Sequence, residues 1–188
     1  DGLSPGSQYY YRVRAFTARA TSANSVDIKV KTTPALKAPT GVVTNSFTAN
    51  WDEGIGVTGY QLDVSINDAF TSFVTGYNNL SVPGAATVST NITNLTAGSA
   101  YYYRVRAVNA LGASANSATI MVITPPIAKP ATNVTSTSIT ANWDEGASIA
   151  GYRLDVSTDN FTSFLQGYDN RIVAGSSLDI SSLSPGTT

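Results

Sequence analysis

The chain has 188 residues, long enough for one large domain or two small ones, and 42% of them are hydrophobic, so a packed core is within reach. Only 12% are charged, and the 11 basic and 12 acidic residues are scattered singly, which leaves no basic patch for nucleic acid and no polybasic run for an anionic membrane. Cys and His are both absent, which removes zinc sites, disulfides, thiol chemistry and histidine acid–base catalysis together.

The first predicted elements are two strands, Tyr9 to Ala15 and Ser25 to Thr32, with apolar and polar residues alternating. A Pro-bearing linker, Thr33-Pro34-Ala35-Leu36-Lys37, leads into a longer stretch from Leu36 to Thr124. There Tyr60, Leu62 and Val64 alternate with Gln61 and Asp63, and Tyr101, Tyr103, Val105 and Ala107 alternate with Tyr102, Arg104 and Arg106. Ile120 and Val122 mark a short closing strand, and Gly or Pro punctuates between the strands. A second linker, Thr124 to Pro130, precedes residues 131–188, which predict five further strands. No segment has a helical period, and no apolar run is long enough to span a bilayer as a helix. The chain has no signal peptide and begins at Asp1, so it is expected to be a piece of something longer.

Internal repetition organises these elements. Ala49-Asn50-Trp51-Asp52-Glu53-Gly54 returns as Ala141-Asn142-Trp143-Asp144-Glu145-Gly146, an offset of 92 residues. Tyr9-Tyr10-Tyr11-Arg12-Val13-Arg14-Ala15 returns at the same offset as Tyr101 to Ala107, and Gly59 to Ser65 is echoed by Gly151 to Ser157. Phe70-Thr71-Ser72-Phe73 returns as Phe161 to Phe164, one residue earlier in phase. About seven short strands in about ninety residues predict a Greek-key sandwich.

The unit resembles a fibronectin type III domain. Trp51 matches that family's buried Trp on the second strand, Tyr60 its Tyr on the third, and Tyr101 its tyrosine-corner residue. The combined motifs also resemble repeats of secreted or surface proteins from Bacteroidetes-like bacteria. The resemblance implies an all-β fold of tandem immunoglobulin-like sandwiches, one complete and two partial. Residues 1–33 would supply the last two strands of a preceding repeat, 36–124 a complete domain, and 131–188 the first strands of a following one. It also implies an extracellular or cell-surface setting, and no chemistry.

The expected core of the central domain is Trp51, Tyr60, Leu62, Tyr101, Tyr103 and Val105, with Trp51 against Tyr60 and Tyr103. In the family the sixth strand pairs with the third, so Tyr9, Tyr11 and Val13 are expected to cover Trp143, Tyr152 and Leu154 of a neighbouring repeat. That neighbour is either another copy joined head to tail or the adjacent repeat of a longer array, and both readings stand at this point.

No catalytic, cofactor-binding or metal-ligating residue is expected. Asp52-Glu53 and Asp144-Glu145 have no third acidic ligand nearby for calcium and no cleft for glycosidase chemistry. Leu62-Asp63-Val64 and Leu154-Asp155-Val156 spell an integrin-recognition motif, but mid-strand, with only the Asp expected outside. Tyr10 and Tyr102 are expected to stand exposed singly, as a minimal sugar-stacking surface. Arg12, Arg14, Arg104 and Arg106 share their face and are expected to pair weakly with Asp63 and Asp155 across the sheet. Sequons at Asn79, Asn91, Asn94, Asn133 and Asn160 are assigned no function. The expected function is therefore a non-enzymatic adhesive or structural repeat, such as a fibre or stalk subunit whose partner is itself. The alternative is a spacer, or a module binding a surface glycan, in a larger secreted polysaccharide-degrading enzyme.

Overall fold

A computed structural model describes residues 2–186, and among these described residues there are fifteen strands and no helix. The first two, β1 (Gln8–Tyr11) and β2 (Ile28–Lys31), form an antiparallel hairpin in which Tyr9 faces Val30 and Tyr11 faces Ile28. Both are shorter than the alternation predicted. Beyond Tyr11 the ladder continues through serines: Val13 and Ala15 each donate an N–H to a hydroxyl, Ser25 at 3.0 Å and Ser22 at 3.1 Å, in place of a carbonyl.

Eight strands follow: β3 (Leu36–Val43), β4 (Ser46–Trp51), β5 (Gly59–Ser65), β6 (Leu80–Pro83), β7 (Ser89–Ile92), β8 (Ala100–Asn109), β9 (Gly112–Ala113) and β10 (Ile120–Ile123). They form two sheets, β3-β4-β7 and β10-β8-β5-β6, with β9 paired to β8. Sequential strands thus swap sheets, as a Greek-key sandwich requires. The core lies between the sheets because each strand turns its alternate apolar residues inward. Trp51 of β4 packs on Tyr60 of β5 with ring centroids 5.4 Å apart. Tyr103 of β8 takes Phe47 as its ring partner at 5.7 Å, where Trp51 was expected. Trp51, Tyr60, Leu62, Tyr101, Tyr103 and Val105 are all buried.

The last five strands are β11 (Ala128–Thr132), β12 (Ile139–Trp143), β13 (Tyr152–Leu154), β14 (Arg171–Val173) and β15 (Ser177–Ile180). Their sheets, β11-β12-β15 and β13-β14, repeat the orders β3-β4-β7 and β5-β6. The proline-rich stretch up to Pro130, expected to be linker, instead starts a strand: Ala128 and Lys129 pair with Trp143 and Asn142. Pro130 is tolerated there because β11 is an edge strand and the ladder shifts register just after Lys129.

Contacts cluster the chain into two units. One gathers the described residues up to Gly41 with Phe47–Ile92 and Tyr101–Val122; the other gathers Val42–Ser46 and Thr93–Ala100 with the described residues from Ile123 onward.

Candidate interaction surfaces

The most developed polar site lies on the outer face of the β5–β8 pair. Their antiparallel register sets Gln61 opposite Arg106, Leu62 opposite Val105, Asp63 opposite Arg104 and Val64 opposite Tyr103. The Asp63 side chain, expected in solvent, is only 2% exposed, which corrects the strand-alternation reading. Facing outward does not mean facing water here, because two arginines and a loop lie over it. Arg104 Nε donates to Oδ2 at 3.0 Å, and an Arg106 guanidinium nitrogen reaches the same oxygen at 3.1 Å. The Asn79 backbone N–H donates to Oδ1 at 2.7 Å. The Arg104 guanidinium lies 4.0 Å from the centre of the Phe70 ring, a cation–π contact that closes the other side. A carboxylate with this many charge-assisted bonds differs in kind from the weak surface pair expected.

The counterparts 91 or 92 positions away split this site in two. Asp155 accepts the Asn170 N–H at 2.6 Å, but it is exposed, and the Phe161 ring is 61% exposed. The corresponding arginines, Arg12 and Arg14, sit on the first hairpin and are exposed as well. On the same hairpin Tyr9 is half-buried, while Tyr11 is 55% and Val13 62% exposed. Trp143 is buried against Tyr152, ring centroids 5.4 Å apart, and Tyr152 and Leu154 are half-buried.

The other candidates resolve into local structure. Asp52 and Asp144 pair with Lys37 (at 2.7 Å) and Lys129, and among the described residues no group of three or more His, Cys, Asp or Glu is placed to hold a metal. Tyr10 is exposed with the Lys29 ammonium 5.7 Å from its ring, while Tyr102 is half-buried, so the expected pair of single exposed rings is reduced to one. Asn79, Asn94, Asn133 and Asn160 all hold φ between 49° and 60°, the left-handed region that Asn tolerates better than other side-chain-bearing residues. Conformation therefore accounts for these four asparagines. Asp159 is held well below the usual carboxylate range, at about 2, first by the Ser157 hydroxyl at 2.6 Å and then by Ser163. It ties its own turn together, as the Asn67 side chain does by accepting the Thr71 N–H at 3.2 Å.

Residues 34–123 match the model of the fibronectin type III domain. A two-domain fibronectin type III segment of chicken tenascin is 17% identical over 81% of this chain and 85% of its own, with a TM-score of 0.46. The FN1–FN3 domains of chicken CNTN1 are 23% identical over 66% of this chain, with a TM-score of 0.38, and this chain spans only 45% of their length. The FN5 domain of Drosophila Lar is 24% identical over 49% of this chain and 94% of its own, at 0.38. A search of curated proteins finds no match. The segment from Pro34 to Ile123 is similar to the fibronectin type III domain.

Proposed function

We propose that the chain is a non-enzymatic structural repeat segment of an extracellular or cell-surface protein, and that copies join by β-strand complementation. In this reading residues 36–124 are a complete domain. Residues 131–188 of one copy begin a sandwich that residues 1–33 of another finish, giving a fibre or stalk. The setting is the one that fibronectin type III repeats imply. The observation that carries the assembly is the divided Asp–Arg site.

Moving the β5–β8 register by 92 residues sets Leu154 opposite Val13, Asp155 opposite Arg12 and Val156 opposite Tyr11. That pairing gives Asp155 the two arginines that Asp63 already has, covers Leu154 with apolar side chains, and brings Arg12 beside Phe161. Backbone ladders would supply affinity and the buried ion pairs would fix register. The contact is heterologous, so it extends into an open chain of copies instead of closing on itself.

Charge reversal tests it. Asp155→Arg should disable one end and Arg12→Asp with Arg14→Asp the other, so each variant alone stays monomeric. Mixed, they should assemble with one another, because each head then meets a tail of opposite charge on the other variant. A mixture that stays monomeric, or single variants that assemble as the parent does, refutes the proposal.

A further inference from the structure

Among the buried hydroxyls, Ser7, Ser99 and Thr124 lie outside the sandwich core and its ion pairs, and all are essentially without exposure. Buried hydroxyls need partners, and theirs form one pattern that occurs twice. The Ser7 N–H donates to Thr32 Oγ1 at 2.9 Å, and the Thr32 N–H returns to the Ser7 carbonyl at 3.0 Å. Ser99 and Thr124, each 92 residues on, make the same two bonds at 3.0 Å and 3.0 Å. Each serine hydroxyl then reaches a loop that follows a Trp-Asp-Glu-Gly motif. Ile55 N–H donates to Ser7 Oγ at 2.9 Å, and Ser7 Oγ donates on to the Pro5 carbonyl at 2.9 Å. Ala147 N–H donates to Ser99 Oγ at 2.9 Å, which donates on to the Ala97 carbonyl at 3.1 Å. A second bond returns across each contact, from the Gln8 N–H to the Ile55 carbonyl at 2.9 Å and from the Ala100 N–H to the Ala147 carbonyl at 3.0 Å.

The glycine of the motif is required by closeness. A Cβ on Gly54 would strike the Gly6 carbonyl oxygen, with its carbon at 2.9 Å, and a Cβ on Gly146 would strike the Gly98 carbonyl in the same way. Behind each glycine a core tyrosine hydroxyl accepts its N–H, Tyr60 for Gly54 at 2.8 Å and Tyr152 for Gly146 at 2.6 Å. Those tyrosines are the ones stacked on Trp51 and Trp143. The loop is therefore held by its own core on one side and grips the serine loop on the other.

From this duplication we infer that Gly-Ser with its Thr, and Trp-Asp-Glu-Gly, are the two halves of an inter-repeat lock. The first half closes each repeat and the second receives it at the start of the next, so the joint is a bonded interface with a defined geometry and not a free linker. Ser7, Ser99, Gly54 and Gly146 are its positioning residues, and the Asp-Glu-Gly motif is a docking element whose carboxylates stay at the rim. The inference rests on reading the chain as consecutive repeats, and it is independent of whether separate copies assemble, because both halves of each joint lie in one chain.

Amide hydrogen exchange on the full chain tests the lock, since protection reports local opening residue by residue. In the parent, the Ile55 and Ala147 amides should exchange well below unstructured-chain rates. Ser7→Ala should speed exchange at Ile55 by about tenfold or more, the equivalent of losing one buried hydrogen bond, while leaving Leu62 and Ala147 protected. Gly54→Ala should do the same at Ile55 and Gln8 by collision, and Ser7→Thr, which keeps the acceptor oxygen, should restore protection to Ile55. Unstructured-chain exchange at Ile55 and Ala147 in the parent, beside a protected core, overturns the lock. So does Ser7→Ala with unchanged protection at Ile55.

Discussion

Asp63 and Arg104 face one another across the β5–β8 ladder, and the Arg104 Nε–Asp63 Oδ2 bond of 3.0 Å ends on a carboxylate that is 2% exposed. Removing the charge with Asp63→Asn strands two arginines on a covered face. The expected cost is about 2–3 kcal/mol, below that of a fully buried pair because both arginine side chains keep contact with water. Denaturant unfolding followed by tryptophan fluorescence measures it. The exposed counterpart Asp155→Asn should cost under about 0.5 kcal/mol in the dilute single chain.

Trp51 is fully buried against Tyr60. Trp51→Ala leaves a large cavity between the sheets and should destabilise the domain by about 3–5 kcal/mol. Chemical denaturation of residues 34–126 alone, if that segment folds, or of the whole chain otherwise, supplies the number. A loss below about 1 kcal/mol would place the core elsewhere.

Burial pushes the Tyr103 hydroxyl up to about 12, against the smaller opposing effect of a backbone hydrogen bond. The unfolded chain releases this proton near pH 10, before the folded one does. The stability it contributes is thus complete below about pH 10 and is lost as pH rises through about 12. Absorbance titration should show late-ionising tyrosines, Tyr103 among them with Tyr60, whose appearance coincides with alkaline unfolding, and Tyr103→Phe should delay that unfolding.

Asp159 carries the opposite sign. Its carboxyl is held near 2 by the Ser157 and Ser163 hydroxyls, so it favours the folded turn above the ordinary carboxylate range and stops doing so as pH falls through about 2. A carbon NMR titration should place its midpoint near 2, and Ser157→Ala should move it upward. An ordinary midpoint in the parent would mean that the turn is open in solution.

Much of the architecture was legible because β-strands write their period into the sequence. Tyr60-Leu62-Val64 and Tyr101-Tyr103-Val105 announce one buried face each, and the 92-residue offset aligns them without any structure. Alternation failed at Asp63, since it assigns a face and says nothing of what covers that face. The Phe70 loop and the paired arginines come from distant positions, although the recurrence of Arg-x-Arg opposite Asp was a usable signal. The joints were illegible for a different reason. Ser7, Thr32, Gly54 and their counterparts are loop residues with no period, and their partners lie on other loops. Only the conserved offset between Gly6-Ser7 and Gly98-Ser99 hinted that these turns do more than reverse the chain. Pro130 misled because proline reads as linker, whereas an edge strand accommodates it.

The central claim, that copies complete one another through the divided Asp–Arg face, is tested most directly by sedimentation velocity across a wide concentration range. The account predicts a sedimentation coefficient that climbs with concentration without reaching a plateau, the mark of an open head-to-tail contact. It also predicts that Tyr11→Asp, which puts a charge where the completed core needs an aromatic, holds the chain at the monomer value. A single monomer boundary at every concentration, unchanged by that substitution, would contradict it.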